Sequence, residues 1–401
     1  MFKGALPGFR DFYPQELAER AYIMRTWREV ARRYAFVEYD GPPLEPLDLY
    51  TRKSGEEIVA QLYNFTDKGG REVALRPEMT PTVARMVAAR ANALRKPVRW
   101  FSMPQLFRYE RQQKGRLREH YQLNVDIFGA TDVAADAELV ACAVDMMRSF
   151  GLTSGDVVVR VSDRRLLQAY LLGLGVPAEA VASVYGVIDK LERTPSQISS
   201  EKLTTLGVPS EAIARILGIA DVRFDELAAT LRHGDATAVV EEFGRFLRYV
   251  PALLGGDESW LRLDLSIVRG LAYYTGIVFE LFDRSGEFRA ICGGGRYDTL
   301  LESLGGADMP ALGFGMGDVV LGELLRARGL MSAAPTEADV WLAAEETVPL
   351  EDVMREAARR RAAGQAVEYA LRPQSLSKQK KAAQASGARE FVTLSTESSN
   401  G

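Results

Sequence analysis

Arg108-Tyr109-Glu110-Arg111, followed by a charged loop and then by Arg118-Glu119-His120-Tyr121-Gln122-Leu123-Asn124-Val125-Asp126, is the stretch that decides how this chain folds. Two strands joined by a basic turn sort its residues by the two-residue period of a strand. Tyr121, Leu123, Val125 and Ile127 take one face. Arg118, His120, Gln122, Asn124 and Asp126 take the other, with Arg108 and Glu110 supplied by the partner strand. A polar face carrying both signs of charge, with a basic loop at its tip, suits a zwitterionic substrate beside a polyphosphate. Contact with water explains the same pattern, because one face of an antiparallel sheet is commonly solvated. The hairpin alone leaves both readings open.

The rest of the chain bounds the choice. Its 401 residues predict two or three domains, each with enough core to fold. Apolar content of 47% and charged content of 26% are those of a globular protein, and a net charge of −4 argues against one that coats nucleic acid indiscriminately while leaving room for a local basic patch. Cys142 and Cys292 lack metal-ligand spacing. With no disulfide framework and no leader, the expected compartment is a reducing cytosol. No apolar run reaches the length of a membrane span. His120 and His233 are the two histidines, so no histidine-rich metal site or Ser-His-Asp triad is expected; His233, in Leu-Arg-His-Gly, predicts a helix C-terminus.

Helices are expected over Pro14 to Tyr34, Met79 to Leu94 (capped by Thr80 or Thr82) and Asp132 to Phe150. Val157 to Val161 predicts a strand, and a helical block punctuated by Gly175-Val176-Pro177 and Gly207-Val208-Pro209 follows from about Arg164 to Tyr249. Strands are expected at Leu263 to Val268, Tyr273 to Phe282 and Phe288 to Ile291, leading into Gly293-Gly294-Gly295-Arg296-Tyr297-Asp298. The strand–helix alternation from Asp339 to Leu394 predicts a small parallel α/β unit, ending in a polar tail.

Several segments carry candidate chemistry. Arg269, before a turn leading to Tyr273 and Tyr274, offers five donors to a phosphate whose charge rises during attack; an arginine in a turn beside packed tyrosines explains it equally. Cys292-Gly-Gly-Gly-Arg-Tyr-Asp lets a backbone approach a ligand but lacks the lysine and spacing of a P-loop, and Gly313-x-Gly-x-Gly is an equally weak dinucleotide fingerprint. Arg76-Pro77-Glu78-Met79-Thr80 places Glu78 either for an amino group or simply at a helix N-terminus.

Taken together and in order, Arg76-Pro77-Glu78-x-Thr80, Phe107-Arg108-Tyr109-Glu110-Arg111 with Gly115-Arg116-x-Arg118-Glu119, Arg269-Gly270-Leu271-x-Tyr273-Tyr274 and Gly294-Gly295-Arg296-Tyr297-Asp298 resemble the histidyl-tRNA synthetases, a family of class II aminoacyl-tRNA synthetases. The resemblance runs from Leu6-Pro7-Gly8-Phe9-Arg10-Asp11-Phe12, through Ile188-Asp189-Lys190-Leu191, to Gly387-Ala388-Arg389. It implies an α+β fold: a six-stranded antiparallel catalytic sheet flanked by helices over 1–330, with a helical insertion at about 170–250. A linker at 331–338 and a short anticodon-binding-like α/β domain at 339–401 follow.

The same resemblance implies a homodimeric histidine–tRNA ligase that takes L-histidine, ATP with Mg²⁺ and tRNA(His), with no resident metal. Glu78, Thr80, Gln122, Asp126, Tyr273 and Tyr274 would hold histidine, its ammonium meeting Glu78 and Asp126. Arg108, Glu110 and Arg118 would contact ATP, and Arg269 the α-phosphate. Arg111, Gln113 and Arg116 would face the tRNA acceptor end or the outer phosphates.

The chain departs from the family pattern at two points. Where the family has Gly-x-x-x-Gly-Leu-Glu-Arg, supplying an arginine to ATP, this chain has Gly313-Phe314-Gly315-Met316-Gly317-Asp318-Val319-Val320, and Ala272 replaces the aspartate of Arg-Gly-Leu-Asp-Tyr-Tyr. An uncompensated loss of such an arginine costs about 2–4 kcal/mol of transition-state stabilisation. The C-terminal unit also looks short, without a last strand and helix. A histidine-sensing regulatory subunit of ATP phosphoribosyltransferase resembles the same core and is the alternative; the missing arginine favours it, and residues 339–394 count against it.

Overall fold

The computed structural model describes residues 4–51, 59–110, 115–231, 236–269, 273–334 and 337–395. At its centre, strands Val98–Ser102, Glu119–Phe128, Ala311–Gly317, Cys292–Arg296, Ile277–Asp283 and Val157–Asp163 lie side by side, each antiparallel to the next. Short parallel strands, Val37–Glu38 and Leu261–Leu263, close the two edges, and Gln105–Phe107 pairs with the near end of Glu119–Phe128. This is the α+β sheet core that the resemblance implies.

Strand alternation gives the sheet two faces of different chemistry. Leu123, Val125 and Ile127 share one face with Leu312, Phe314, Met316, Phe279 and Val159, all buried in one apolar cluster. Helices Pro14–Arg33 and Ala134–Ser149 cover that face, with Trp27, Val30, Val140 and Val144 buried in the same cluster. On the other face the register aligns Ser102, Asn124, Gly315, Gly293, Glu280 and Arg160 in one row, and Trp100, Asp126, Gly313, Gly295, Val278 and Ser162 in the next.

Several expectations shift here. The glycine motifs are strands themselves, Cys292–Arg296 and Ala311–Gly317, whereas 264–268, 273–276 and 288–291 are not. Met79 to Leu94 shortens to the helix Thr80–Ala88, and no side-chain hydrogen bond caps it. Helices do fill Arg164–Gly173 through Ala236–Leu253 as the apolar spacing predicts. His233 lies outside the described residues.

A second compact unit comprises 13–18 and 333–401. In it, Val340–Ala344 pairs in parallel with Val367–Tyr369 on one side and Glu390–Leu394 on the other. Val353 and Ala357 of helix Leu350–Ala362 pack with Val340 and Leu342, while Ala383 of helix Leu376–Ser386 packs with Trp341 and Ala343, so each face carries one helix. Buried Gln379 ties helix to sheet: its side chain donates to the Ala344 carbonyl at 2.8 Å and accepts from the Ala344 amide at 3.1 Å.

Candidate active site

The polar face of the hairpin is buried at one end and lines a cavity at the other. Asn124 and Asp126 are 5% and 3% exposed, and His120 and Gln122 line a cavity of about 820 Å³ over the sheet. The hairpin adds Arg108, Glu110 and Arg116 to its wall. Arg269, Glu280 and Arg289 come from the segments around the next strands, and Asp189 and Arg193 from the helical block.

Glycine makes the space. A Cβ on Gly293 would collide with the Arg269 guanidinium, one on Gly313 with the Asp126 carboxylate, and one on Gly315 with the Gln122 side chain at 2.8 Å. The glycine runs therefore act by omitting side chains from the floor of a site, not as a phosphate loop or a dinucleotide fingerprint. Arg296, inside that run, is no phosphate ligand. It is buried on the opposite side, ion-paired with Asp136 and donating to the Ala130 carbonyl at 2.9 Å.

Arg269 holds a left-handed backbone, φ 61°, unusual for a residue with a side chain and worth about 1–3 kcal/mol of strain. Its guanidinium pairs with Glu280 and sits 5.7 Å from the Tyr274 ring centre. Burial works against its charge, and Tyr274 and Glu280 more than restore it, so its pKa stands above the usual arginine range.

Beside Arg269 lies a buried polar cluster. The Tyr273 hydroxyl donates to Glu78 Oε2 at 3.2 Å, and its ring lies 5.1 Å from Tyr274 and 5.8 Å from Tyr297. Tyr297 donates to Asp126 Oδ1, while Asp126 Oδ2 has no hydrogen-bond partner. Burial pushes the Asp126 carboxyl up to about 7, against the pull of Tyr297. Burial pushes the Tyr273 hydroxyl well up too, with Glu78 adding to it and Thr80 opposing. His120 is held neutral, its pKa lowered to about 3 by burial and by the charges of Arg108 and Arg10.

The structure thus brings Glu78, Asp126, Tyr273 and Tyr274 into one buried group, with half-buried Thr80 beside Tyr273, next to a cavity walled by Arg108, Glu110, Arg116, Gln122 and Arg269. Arg118 stands apart from that wall: it stacks 4.1 Å above the Tyr109 ring and donates to the Glu110 carbonyl at 3.3 Å. Arg76 is structural, donating to Asp40 at 2.9 Å and to the Gly41 carbonyl at 2.7 Å. Arg111, Gln113 and Ala272 lie outside the described residues.

Sequence reasoning missed one network. Arg10 donates to Glu119 at 2.6 Å and to Asp318 at 2.9 Å, and Asp318 also accepts the Tyr121 amide at 2.9 Å. Asp318, the odd residue of the altered glycine motif, is therefore spoken for by the N-terminal segment. Its partner lies 308 positions away, so no local spacing could have shown the pair.

Among the described residues no cluster of three or more His, Cys, Asp or Glu side chains is arranged to hold a metal ion, and no helix is long and apolar enough to cross a membrane.

An antiparallel sheet with an apolar side closed by helices, and a glycine-floored side beneath a mixed-sign cavity, is the kind of core that the resemblance to class II aminoacyl-tRNA synthetases implies. Residues 8–317 match the histidyl-tRNA synthetase family. The chain is 45% identical over 393 residues to a histidine–tRNA ligase of Opitutus terrae, covering 96% of this chain and 89% of that protein. It is 38% identical to a histidine–tRNA ligase of Thermoplasma volcanium, with 98% and 90% covered. A crystal structure of histidyl-tRNA synthetase from Nostoc superposes with a TM-score of 0.82 at 25% identity, over 97% of this chain and 91% of that one. The chain belongs to the histidyl-tRNA synthetase family.

Proposed function

We propose that this chain is a histidine–tRNA ligase, which activates L-histidine with ATP and passes the histidyl group to tRNA(His). The observation that carries the reading is the pairing of a buried carboxylate–tyrosine group with an arginine-walled cavity across one strip of glycine. The first suits an amino acid's ammonium, the second a polyphosphate.

In this reading Glu78 and Asp126 meet the ammonium, with Thr80, Gln122, Tyr273 and Tyr274 around the rest of the histidine. Unpartnered Oδ2 of Asp126 supports it, since a buried carboxyl lifted to about 7 gains most when a cation arrives. The histidine carboxylate is already ionised near neutral pH and needs no base. Its oxygen attacks the α-phosphorus of ATP, the O–P bond forms, and the bond to pyrophosphate breaks. Arg269 stabilises the charge gathering on the α-phosphate, exchanging Glu280 for it. Arg108 and Glu110 contact ATP from the cavity wall; Arg118 reaches it only by leaving the Tyr109 ring. Mg²⁺ enters with the ATP phosphates, as suits an ion that seldom needs a dedicated protein cage. A ribose hydroxyl of tRNA then takes the histidyl carbonyl, releasing AMP. Arg116 faces the acceptor end or the outer phosphates. The working form is a cytosolic homodimer.

Histidine-dependent exchange of pyrophosphate into ATP tests this directly. Robust exchange, followed by charging of tRNA(His), is expected. Histidine binding without exchange would instead point to the regulatory subunit of ATP phosphoribosyltransferase.

A further inference from the structure

The position at which the family supplies an arginine to ATP holds Val320, and nothing in its own segment replaces it. Val319 and Val320 face the cavity with apolar side chains, and Asp318 is committed to Arg10. A cation nevertheless lines the same cavity. Cys292 lies opposite Met316, and the Gly317 amide donates to the Ile291 carbonyl at 3.4 Å. The pairing ends there: Val319 stands on the helix Asp318–Ala327, and Arg289 on the segment before the strand Cys292–Arg296. Arg289 lines the cavity together with Val319, Val320 and Arg269. Burial and the like charge of Arg116, then that of Arg193, lower its pKa, with Glu110 opposing.

We infer that Arg289 holds the phosphates of ATP in place of the arginine that the family carries where this chain has Val320. Val320 stands on the helix that follows one strand and Arg289 on the loop that precedes its neighbour, and both line one cavity. The inference rests on the ligase reading and adds a residue to it.

The test is pyrophosphate exchange by Arg289→Ala and by the double variant Arg289→Ala/Val320→Arg. The single variant is expected to lose about 100-fold in kcat/KM for ATP, with KM for histidine within about threefold of the parent. The double variant is expected to regain about tenfold or more, since a guanidinium at the family position restores a phosphate contact but not a structural role. An unchanged ATP dependence in Arg289→Ala overturns the inference, as does an equal weakening toward histidine and ATP. If the parent shows no exchange, the ligase reading fails by itself. ATP titration by calorimetry then still decides this point: weakening of about tenfold in Arg289→Ala upholds it, and equal binding ends it.

Discussion

One face of the central sheet is closed by Leu312, Phe314 and Met316 against Trp27 and the Ala134–Ser149 helix, whereas the other is floored by Gly293, Gly313 and Gly315 beneath Arg269, Asp126 and Gln122. The same strands make both faces, so the contrast is between alternate residues and not between domains. The apolar face removes aliphatic and aromatic surface from water at about 25 cal/mol per Å². The glycine face gives up that gain and keeps polar groups desolvated without full pairing: Asp126 Oδ2 and Arg269 Nε are buried and have no hydrogen-bond partner. Each such group costs about 1–3 kcal/mol. The helix-covered side thus stabilises a sheet whose other side is kept poised for charge that the substrates bring.

Four substitutions probe this division. Phe279→Ala, on the helix-covered side and packed edge-on to Phe314, is expected to cost about 3–5 kcal/mol of stability in denaturant unfolding, with KM values little changed below the melting transition. A shift in KM for histidine or ATP would show that the two faces are not separable. On the glycine side, Arg269→Ala is expected to cut exchange by about 10²–10³-fold while the variant melts within about 1 kcal/mol of the parent. Near-normal turnover would remove Arg269 from the α-phosphate.

Asp126→Asn tests the desolvated carboxyl. The folded-state pKa of about 7 lies above the unfolded value, so the stability held by the protonated acid is complete below the unfolded pKa of about 3.9 and drains away as pH rises through 7. Unfolding at pH 5 and at pH 7 should show the parent losing about 2 kcal/mol that the Asn variant does not lose. Equal pH slopes would mean that Asp126 is already ionised in the fold. Smallest of the four, Gly315→Ala crowds the end of the Gln122 side chain, which can swing aside. About 1 kcal/mol is expected, read as a several-fold rise in KM for histidine with kcat kept. If kcat falls and KM holds, the crowding acts on chemistry and not on substrate placement.

Alternation along Glu119–Phe128 was legible because it is a local property, residues two apart sharing a side whatever they meet; the strand expected to supply Arg108 and Glu110 instead ends at Phe107. Its polar side could not be assigned from the alternation, since buried and solvated polar faces are written alike. Glycine was misread for a related reason. Low strand propensity makes Gly293-Gly294-Gly295 look like a loop, yet register with Ala311–Gly317 and Ile277–Asp283 holds it as a central strand. The role of Arg296 had no local sign, because its partner, Asp136, is 160 positions away.

The amino-acid sequence by itself determined the family, the α+β class, and the residue types that a histidine and an ATP site require, because those depend on spacing and on side-chain chemistry. Tertiary structure alone decided which charges meet. It buried Asp126, tied Asp318 to Arg10, stacked Arg118 on Tyr109, and set Arg289 on the wall of the cavity that Val319 and Val320 also line. Electrostatic partnership depends on distance and desolvation in space, and neither quantity is written along the chain.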